Sequence, residues 1–281
     1  FSTQFPQTPA LPLKVSIQHF HSDKAGNLWI AGEGGFARIS VLRQQFGIQS
    51  IPKTMVIRAI LDDQVAGKTY FGSIYYNRSL LILDKKTGRW ETIPLPLLDK
   101  MFAGPVKFLK DRKGVLWFLT NKGLFCFDLA TRRFEEKQVV VGKGEKLGQR
   151  FCPRGEEDPE GNLWFLFDNG YLVKHDTDLD TFMLKQQRVT TLGKGQNGKL
   201  LIAKQNGVMR IYPRDSAVFS PYSFPAAVLA GEFVSTITED QRGNVWMGTF
   251  TDGIISWNPD KNKLPRVRTL RLENGLPTNW I

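Results

Sequence analysis

The chain has 281 residues, of which 41% are hydrophobic and 12% aromatic, so it can bury a large core and is not intrinsically disordered. No apolar run approaches the roughly 18 residues of a membrane-spanning helix, and the first residue, Phe1, leads us to expect that a leader has already been removed. A formal net charge of +11 favours binding to anionic partners such as nucleic acid, acidic polysaccharide or anionic lipid.

One pattern recurs along the chain: Asp, a Gly three residues later, a Trp six residues after the Asp, and then a second Gly. Good copies begin at Asp23 (DKAGNLWIAGEGG), Asp111 (DRKGVLWFLTNKG), Asp158 (DPEGNLWFLFDNG) and Asp240 (DQRGNVWMGTFTDG). Eroded copies begin near Gln64 and at Gly195, so the six starts lie at intervals of 41, 47, 47, 37 and 45 residues. Without a helical pattern, this period is typical of the four-stranded blades of a β-propeller.

Each copy predicts four strands. An alternating strand (VSIQHFHSD, VKFLKD, VSTITED) leads into the Asp-x-x-Gly turn, where the carboxylate accepts backbone N–H groups and Gly takes a positive φ. The second strand (LWI, LWF, VWM) is apolar at adjacent positions, which indicates burial on both faces and places the repeated Trp between blades. A third strand and an outer strand (GRWETI, RRFEEK, DTFMLK) follow.

The fold class predicted from these copies is all-β: a β-propeller of four-stranded antiparallel blades, with six complete blades plus parts of a seventh. Residues 1–281 form a single β-propeller domain, with no helix of more than two turns. The repeat period puts the next turn near residue 285, beyond Ile281, and the N-terminal FSTQF can supply an outer strand to that blade. We therefore expect a piece of a longer protein.

The segment GKGQNGKL, residues 193–200, imitates a nucleotide-binding loop, because it satisfies both G-x-G-x-x-G and G-x-x-x-x-G-K. A P-loop needs Ser or Thr where Leu200 stands, and the dinucleotide fingerprint needs a following helix, whereas LLIAKQNGVMRIY predicts two strands. Aligned with the repeats, Gly195 occupies the Asp position, Gly198 the first Gly and Leu201 the Trp. The segment is predicted to be a degenerate repeat turn.

The motif D-x-x-G-N-L-W-I-G-T-x-x-G-[LI] resembles the two-component regulator propeller repeat, and LENGLPTNWI at the C-terminus is similar to the segment that precedes the next copy in that family. The resemblance implies the extracytoplasmic, periplasmic sensor domain of a bacterial hybrid two-component histidine kinase, which senses carbohydrate-derived ligands and passes the signal to regions absent from this chain. It implies no enzymatic activity in this domain. The family fixes no ligand positions, so no binding residue follows from it.

Few side chains suggest catalysis or metal binding. His19 and His21 share a strand face without a third ligand, and His175 takes a core position that holds Phe127 or Trp257 in other copies. DTDLD, residues 176–180, lacks the Gly and Glu of a calcium loop and fits a polar turn. Cys126 and Cys152 are predicted to be free thiols more than about 7 Å apart. We predict no catalytic residues, no metal and no cofactor.

A ligand is expected at the end of the propeller where strands two and three join and where the chain passes between blades. Polar tips converge there, as a concave binding site requires. The candidate ligand-binding residues are Glu33, Asn121, Lys122, Arg150, Asp168, Asn169, Gln205, Asn206, Glu232, Thr251 and Asp252.

Two other function classes stay open: a propeller enzyme resembling streptogramin lyases, and a passive protein-interaction scaffold. The partners expected for the sensor are a small molecule or oligosaccharide and, in the full-length protein, a second copy. A membrane is involved only through absent downstream regions. Nucleic acid is not expected, because the densest basic run, residues 261–271, has a strand-like alternation and no aromatic platforms.

Overall fold

A computed structural model describes residues 17–22, 28–32, 35–40, 45–49, 56–73, 79–100, 103–204, 207–211, 219–221, 233–258 and 267–271. These residues form six four-stranded antiparallel sheets, in each of which the strands pair in chain order, and one two-stranded ribbon. The predicted all-β fold of four-stranded blades is confirmed. Residues 1–5 and 272–281, the predicted parts of a seventh blade, lie outside the described residues.

Each of the first three sheets contains one repeat copy, and the third sheet ends at residue 137. Their strands are β1 (Ile17–Ser22), β2 (Leu28–Gly32), β3 (Gly35–Ser40), β4 (Gln45–Gln49), β5 (Ile57–Asp63), β6 (Lys68–Ser73), β7 (Ser79–Asp84), β8 (Trp90–Pro94), β9 (Pro105–Lys110), β10 (Val115–Thr120), β11 (Gly123–Asp128) and β12 (Phe134–Lys137). One short helix, α1 (Pro96–Lys100), precedes β9.

The ribbon and the last three sheets follow. Their strands are β13 (Val140–Val141), β14 (Glu145–Lys146), β15 (Arg154–Glu157), β16 (Leu163–Leu166), β17 (Leu172–Asp176), β18 (Thr181–Gln186), β19 (Val189–Lys194), β20 (Leu200–Lys204), β21 (Gly207–Ile211), β22 (Phe219–Pro221), β23 (Val234–Glu239), β24 (Val245–Thr249), β25 (Ile254–Trp257) and β26 (Val267–Leu270). A 3-10 turn spans Gln196–Gly198. Within the described ranges, no helix exceeds two turns.

The Asp-x-x-Gly turn uses its carboxylate twice. In the copy at Asp158, Oδ1 accepts the backbone N–H of Asn162 at 2.8 Å, while Oδ2 accepts the indole Nε1–H of Trp164 at 2.9 Å. Asp111 and Asp240 hold their own Trp residues in the same way, at 2.9 Å. The turn therefore ties the strand connection to the aromatic side chain that it introduces, and the Gly at each turn has the expected positive φ.

The repeated Trp residues pack between sheets, as the sequence predicts. Trp117 is buried and contacts rings of the next sheet, with centroid distances of 5.4 Å to Phe165 and 4.7 Å to His175. Trp164 is fully buried in a cluster with strands β19 and β20. Trp246, in the last described sheet, is only half-buried. The side chain of Trp29 lies outside the described residues.

The first strands of successive sheets lie side by side, from β1 through β5, β9, β15 and β19 to β23. Their side chains form a polar network, in which Glu156 accepts Lys107 Nζ at 2.5 Å and lies 3.7 Å from Lys194 Nζ. Arg154 reaches past the intervening sheet to the carbonyl of Ser235 at 2.5 Å. This contact requires the first strands to curve around a common axis, as in a propeller.

Packing explains the glycines of GKGQNGKL. A Cβ at Gly193 would lie 1.9 Å from the main-chain oxygen of Ile237 in the neighbouring sheet. A Cβ at Gly198, which has a φ of +72°, would lie 2.1 Å from Pro159 Cγ. The missing Asp is replaced by Glu239 of the neighbouring sheet, whose Oε2 accepts the Gln196 N–H at 2.8 Å. The prediction of a repeat turn is confirmed, because the segment joins β19 to β20, where the other sheets have their Asp-x-x-Gly turns. Gly193, Gly198 and Gln196 contact neighbouring sheets.

Candidate functional site

The sheets present two different ends. We call the end where strands two and three join, and where the chain passes between sheets, the loop end; the Asp-x-x-Gly turns lie at the opposite, turn end. Backbone hydrogen bonds join the loop-end segments: Asp168 N–H donates to the Phe151 carbonyl at 2.9 Å, and Cys152 N–H donates to the Thr120 carbonyl at 3.0 Å. These bonds join the loop-end segments of the third and fourth sheets.

Asn121 and Lys122 form the tip between β10 and β11, and both are exposed. The Asn121 side chain has a structural role, because its Oδ1 accepts the Gly104 N–H at 2.6 Å and so ties the tip to the chain leading into β9. The backbone N–H of Lys122 donates to Thr120 Oγ1 at 2.9 Å. Lys122 therefore offers a side chain to solvent, whereas Asn121 mainly shapes the loop.

Arg150 and Asp168 come together although 18 positions separate them in the sequence. Their side chains lie 3.8 Å apart and are about half exposed, which makes them an ion pair open to solvent. The adjacent Asn169 caps its own turn, since Oδ1 accepts the Tyr171 N–H at 3.1 Å. The structure thus brings two of the predicted site residues, a cation and a carboxylate, together at the loop end.

Thr251 and Asp252 lie at the equivalent tip of the last described sheet. Asp252 pairs with Arg271 at 2.9 Å, at the end of the outer strand β26. Beside them stand two aromatic residues that the sequence analysis did not select: Phe233 and Phe250 are each 45% exposed, with ring centroids 5.0 Å apart. An exposed aromatic pair at a loop is a signal for binding that could have been read from FTDG and EFV.

Four of the candidate residues, Glu33, Gln205, Asn206 and Glu232, lie outside the described residues, so their positions stay predictions.

A groove of about 480 Å³ opens at the loop end between the fourth and fifth sheets. It is lined by Leu184, Lys185, Gln186, Gln187, Arg188 and Lys204. Lys204 immediately precedes the predicted tip at residues 205 and 206. The sequence analysis did not find this groove, because its cations come from two strands that are distant in the sequence.

A smaller cavity of about 260 Å³ lies at the turn end between the third and fourth sheets. His175 lines it, with Nε2 2.9 Å from Asp180 Oδ1, and Asp180 Oδ2 also accepts Lys137 Nζ at 2.7 Å. Burial lowers the pKa of His175, despite the opposing effect of Asp180, so the imidazole is neutral at neutral pH. The third-strand position predicted for His175 is confirmed, and the rings of Trp117 and Phe182 pack against it at tilted angles.

The cysteines show no sign of reactivity. Both are free and buried; Cys126 lies on β11, and Cys152 lies two residues before β15 rather than on it. Burial, aided by Glu135, raises the pKa of Cys126 to about 12, and burial also raises that of Cys152.

In the part of the chain that the structure describes, no three His, Cys, Asp or Glu side chains group to hold a metal, and no helix is long and apolar enough to cross a membrane. The segment 176–180 is a turn between β17 and β18, as predicted.

Comparison with known proteins gives one family and several structures. Residues 229–251 match the family model described as two component regulator propeller. The structure resembles the extracellular domain assigned to the hybrid two component system BT3049 from B. thetaiotaomicron, at a TM-score of 0.63 and 19% identity over 89% of this chain. It also resembles that of BT4673 from the same organism, at a TM-score of 0.55 and 13% identity over 98% of this chain.

This chain spans only 34% of the first of these structures and 48% of the second. A structure of YCF48 bound to D1 peptide is similar as well, with a TM-score of 0.65 and 11% identity over 95% of this chain and 84% of that one. No curated protein matches the sequence. At these identities the structures establish the fold, while the repeat carries the family signal. The chain is therefore a β-propeller that carries the two component regulator propeller repeat.

Proposed function

We propose that this chain is the ligand-binding part of a bacterial hybrid two-component signalling protein, and that it senses a carbohydrate-derived ligand at the loop end. The observation that carries the proposal is the two component regulator propeller repeat at residues 229–251, within a fold shared with two extracellular domains of hybrid two component systems. The domain lies outside the cytoplasm, in the periplasm. Histidine kinase activity belongs to other regions of the full-length protein.

The chemistry of the loop end supports a hydroxyl-rich ligand. The exposed Arg150–Asp168 pair supplies both donors and acceptors, and Lys122 adds a further donor. The pair formed by Phe233 and Phe250 offers an apolar face on which the ring of a sugar can lie. A few polar groups beside an aromatic surface are typical of sites that orient a small ligand.

The buried groups support binding rather than catalysis. His175 is enclosed by aromatic rings and hydrogen-bonded to Asp180, and both thiols are buried with raised pKa values. A sensor needs only differential affinity for its ligand, which the loop end can supply.

The proposal is tested by screening the purified chain on a glycan array and measuring the affinity of the best saccharide by calorimetry. In the test variant, Lys122→Ala, Arg150→Ala and Asp168→Ala remove one cation and one complete ion pair from the loop end. We expect the affinity to fall at least about tenfold, because even an ordinary hydrogen bond contributes roughly 0.5–1.5 kcal/mol and several are lost. Asn121 is left intact, since its side chain holds Gly104.

A matched control carries Lys86→Ala, Arg133→Ala and Glu135→Ala. It removes the same residue classes and the same net charge from the turn end, where Arg133 and Glu135 form an exposed pair at 2.9 Å. The control is expected to bind like the wild type. Equal losses in both variants, or a screen in which no saccharide binds, would contradict the proposal.

A further inference from the structure

The cationic groove at the loop end differs from the other clusters of charge. We keep this name for the groove lined by Lys185 and Gln186 of β18, Arg188 of the connection to β19, and Lys204 at the end of β20, with Leu184 and Gln187 at its wall. Three of its six lining residues are cations and none is acidic. Its volume of about 480 Å³ is large enough for a monosaccharide unit or more.

The cations of the groove lack acidic partners in the described part of the chain. No described carboxylate lies within 4.0 Å of Lys185, Arg188 or Lys204. Elsewhere, neighbouring sheets neutralise their cations, as Glu156 does for Lys107 and Lys194. Among the described residues, the cationic groove therefore concentrates positive charge without a paired carboxylate, and a surface of one sign attracts counter-ions.

The geometry also fixes how the donors are presented. Lys204 Nζ donates to Gln186 Oε1 at 2.8 Å, which holds the ammonium group at the mouth of the groove and leaves its other two N–H groups for a ligand. Lys185 is half-buried, and its pKa is lowered by burial and by the nearby Lys174. An anion bound beside it would oppose both effects, because a negative charge stabilises the protonated ammonium group.

The cationic groove adjoins the loop-end surface. The Val189 N–H, one residue after Arg188, donates to the Gly170 carbonyl at 3.0 Å, so the groove meets the tip that carries Asp168 and Asn169. A single chain-like ligand can thus contact both regions. Such a ligand needs hydroxyl groups for the loop end and an acidic group for the groove.

We propose that the cationic groove binds a sulfate or carboxylate group of the ligand, so that the molecule sensed is an acidic oligosaccharide. This inference rests on the proposed function. The Arg188 fork suits the planar or tetrahedral oxygen array of such groups, while Lys185 and Lys204 act as point charges, and the amides of Gln186 and Gln187 suit neighbouring hydroxyls. A neutral saccharide would bring no negative charge to balance the three cations.

The probes are a dextran sulfate oligosaccharide and an unsulfated dextran oligosaccharide of the same length, measured by calorimetry at 0.15 M salt. The groove variant carries Lys185→Gln, Arg188→Gln and Lys204→Gln. We expect the wild type to bind the sulfated probe at least about tenfold more tightly than the neutral one, and the variant to lose about tenfold, or two- to threefold for each exposed cation.

The control carries Lys86→Gln, Arg89→Gln and Arg242→Gln, which remove the same charge from exposed positions at the turn end. It is expected to bind the sulfated probe like the wild type. Arg188→Gly is a second test, because Arg188 has a φ of +58° that glycine adopts more readily, so this variant should melt no lower than the wild type and still bind more weakly.

The outcomes separate this inference from the proposed function. A lower affinity for the sulfated probe in the groove variant, with an unchanged affinity in the control, supports the inference. Equal losses in both variants show a general charge effect and overturn it. Tighter binding of a single-stranded oligonucleotide or of phosphatidylglycerol vesicles than of dextran sulfate also overturns it. Saccharide binding that depends on Lys122, Arg150 and Asp168 but not on the groove overturns the inference and leaves the proposed function standing.

Discussion

Replacing Asp158 by Asn tests the role of the turn carboxylate as an anchor for the interblade Trp. Asp158 Oδ1 accepts the N–H groups of Glu160 and Asn162 at 3.0 and 2.8 Å, and Asn can keep these bonds with its own oxygen. In the variant, the amide nitrogen of Asn occupies the position of Oδ2, which in the wild type accepts the Trp164 Nε1–H at 2.9 Å. The new N–H₂ group would face two other donors, the Trp164 indole N–H and the Asn162 amide that donates to Oδ2 at 3.0 Å, in a site where Trp164 is fully buried.

The cost follows from the unsatisfied indole N–H. A buried donor left without a partner costs roughly 1–3 kcal/mol, and bonds to a charged acceptor are at the upper end, so we expect Asp158→Asn to lower the free energy of unfolding by about 3 kcal/mol. Urea denaturation followed by tryptophan fluorescence measures it. In a double-mutant cycle with Trp164→Phe, which removes the same donor, the coupling energy should be about 2 kcal/mol.

Asp128→Asn is the control. Asp128 lies in a turn at the surface, where Oδ1 accepts the backbone N–H groups of Ala130 and Thr131 at 2.8 and 3.1 Å and no buried indole is involved. Asn makes the same turn, so the unfolding free energy should hardly change. If Asp158→Asn were as mild as this control, or if its effect simply added to that of Trp164→Phe, the anchor would be refuted.

Three further predictions concern single sites. Burial lowers the pKa of His175, so the unfolded chain gains a proton near pH 6.5 before the folded chain does, and the free energy of unfolding falls as the pH drops below about 6.5. Urea unfolding at pH 7.5 and 5.5 should therefore show a weaker pH dependence for His175→Phe than for the wild type. An equal pH dependence in the two proteins would count against this role of His175. Gly193→Ala should cost about 3 kcal/mol by overpacking against main chain, whereas Gly88→Ala, with positive φ in open space, should cost about 1 kcal/mol; comparable melting losses would refute the packing argument. Cys126 and Cys152 should not react with Ellman's reagent until urea unfolds the chain, and rapid labelling of the native protein would contradict their burial.

Local regularity explains why the fold could be predicted. The Asp-x-x-Gly turn, the adjacent apolar residues and the second Gly recur at short spacings, so each strand of a blade is specified within about 45 residues. The bond between Asp158 and Trp164 was not foreseen, although their constant separation of six residues was the signal for it. A residue pair at fixed spacing suggests a contact only when the turn geometry is considered as well.

The site was less accessible to sequence reasoning, because it is built from side chains that meet across sheets. Arg150 and Asp168 were chosen separately as polar tips, and only the fold pairs them. Lys185 and Lys204 come from different sheets, so their shared groove has no linear pattern. Asn121 looked like a ligand donor but holds Gly104, since loop amides often bond to nearby backbone.

Hydrogen–deuterium exchange in the presence of the saccharide selected on a glycan array tests most directly whether the loop end binds the ligand. Exchange should slow in peptides spanning residues 120–123, 167–170 and 249–253, which form three loop-end tips. Peptides spanning the turn-end segments 111–115 and 158–162 should exchange as in the free protein. Protection confined to the turn end, or unchanged exchange at every tip with a saccharide that calorimetry shows to bind, would contradict the account.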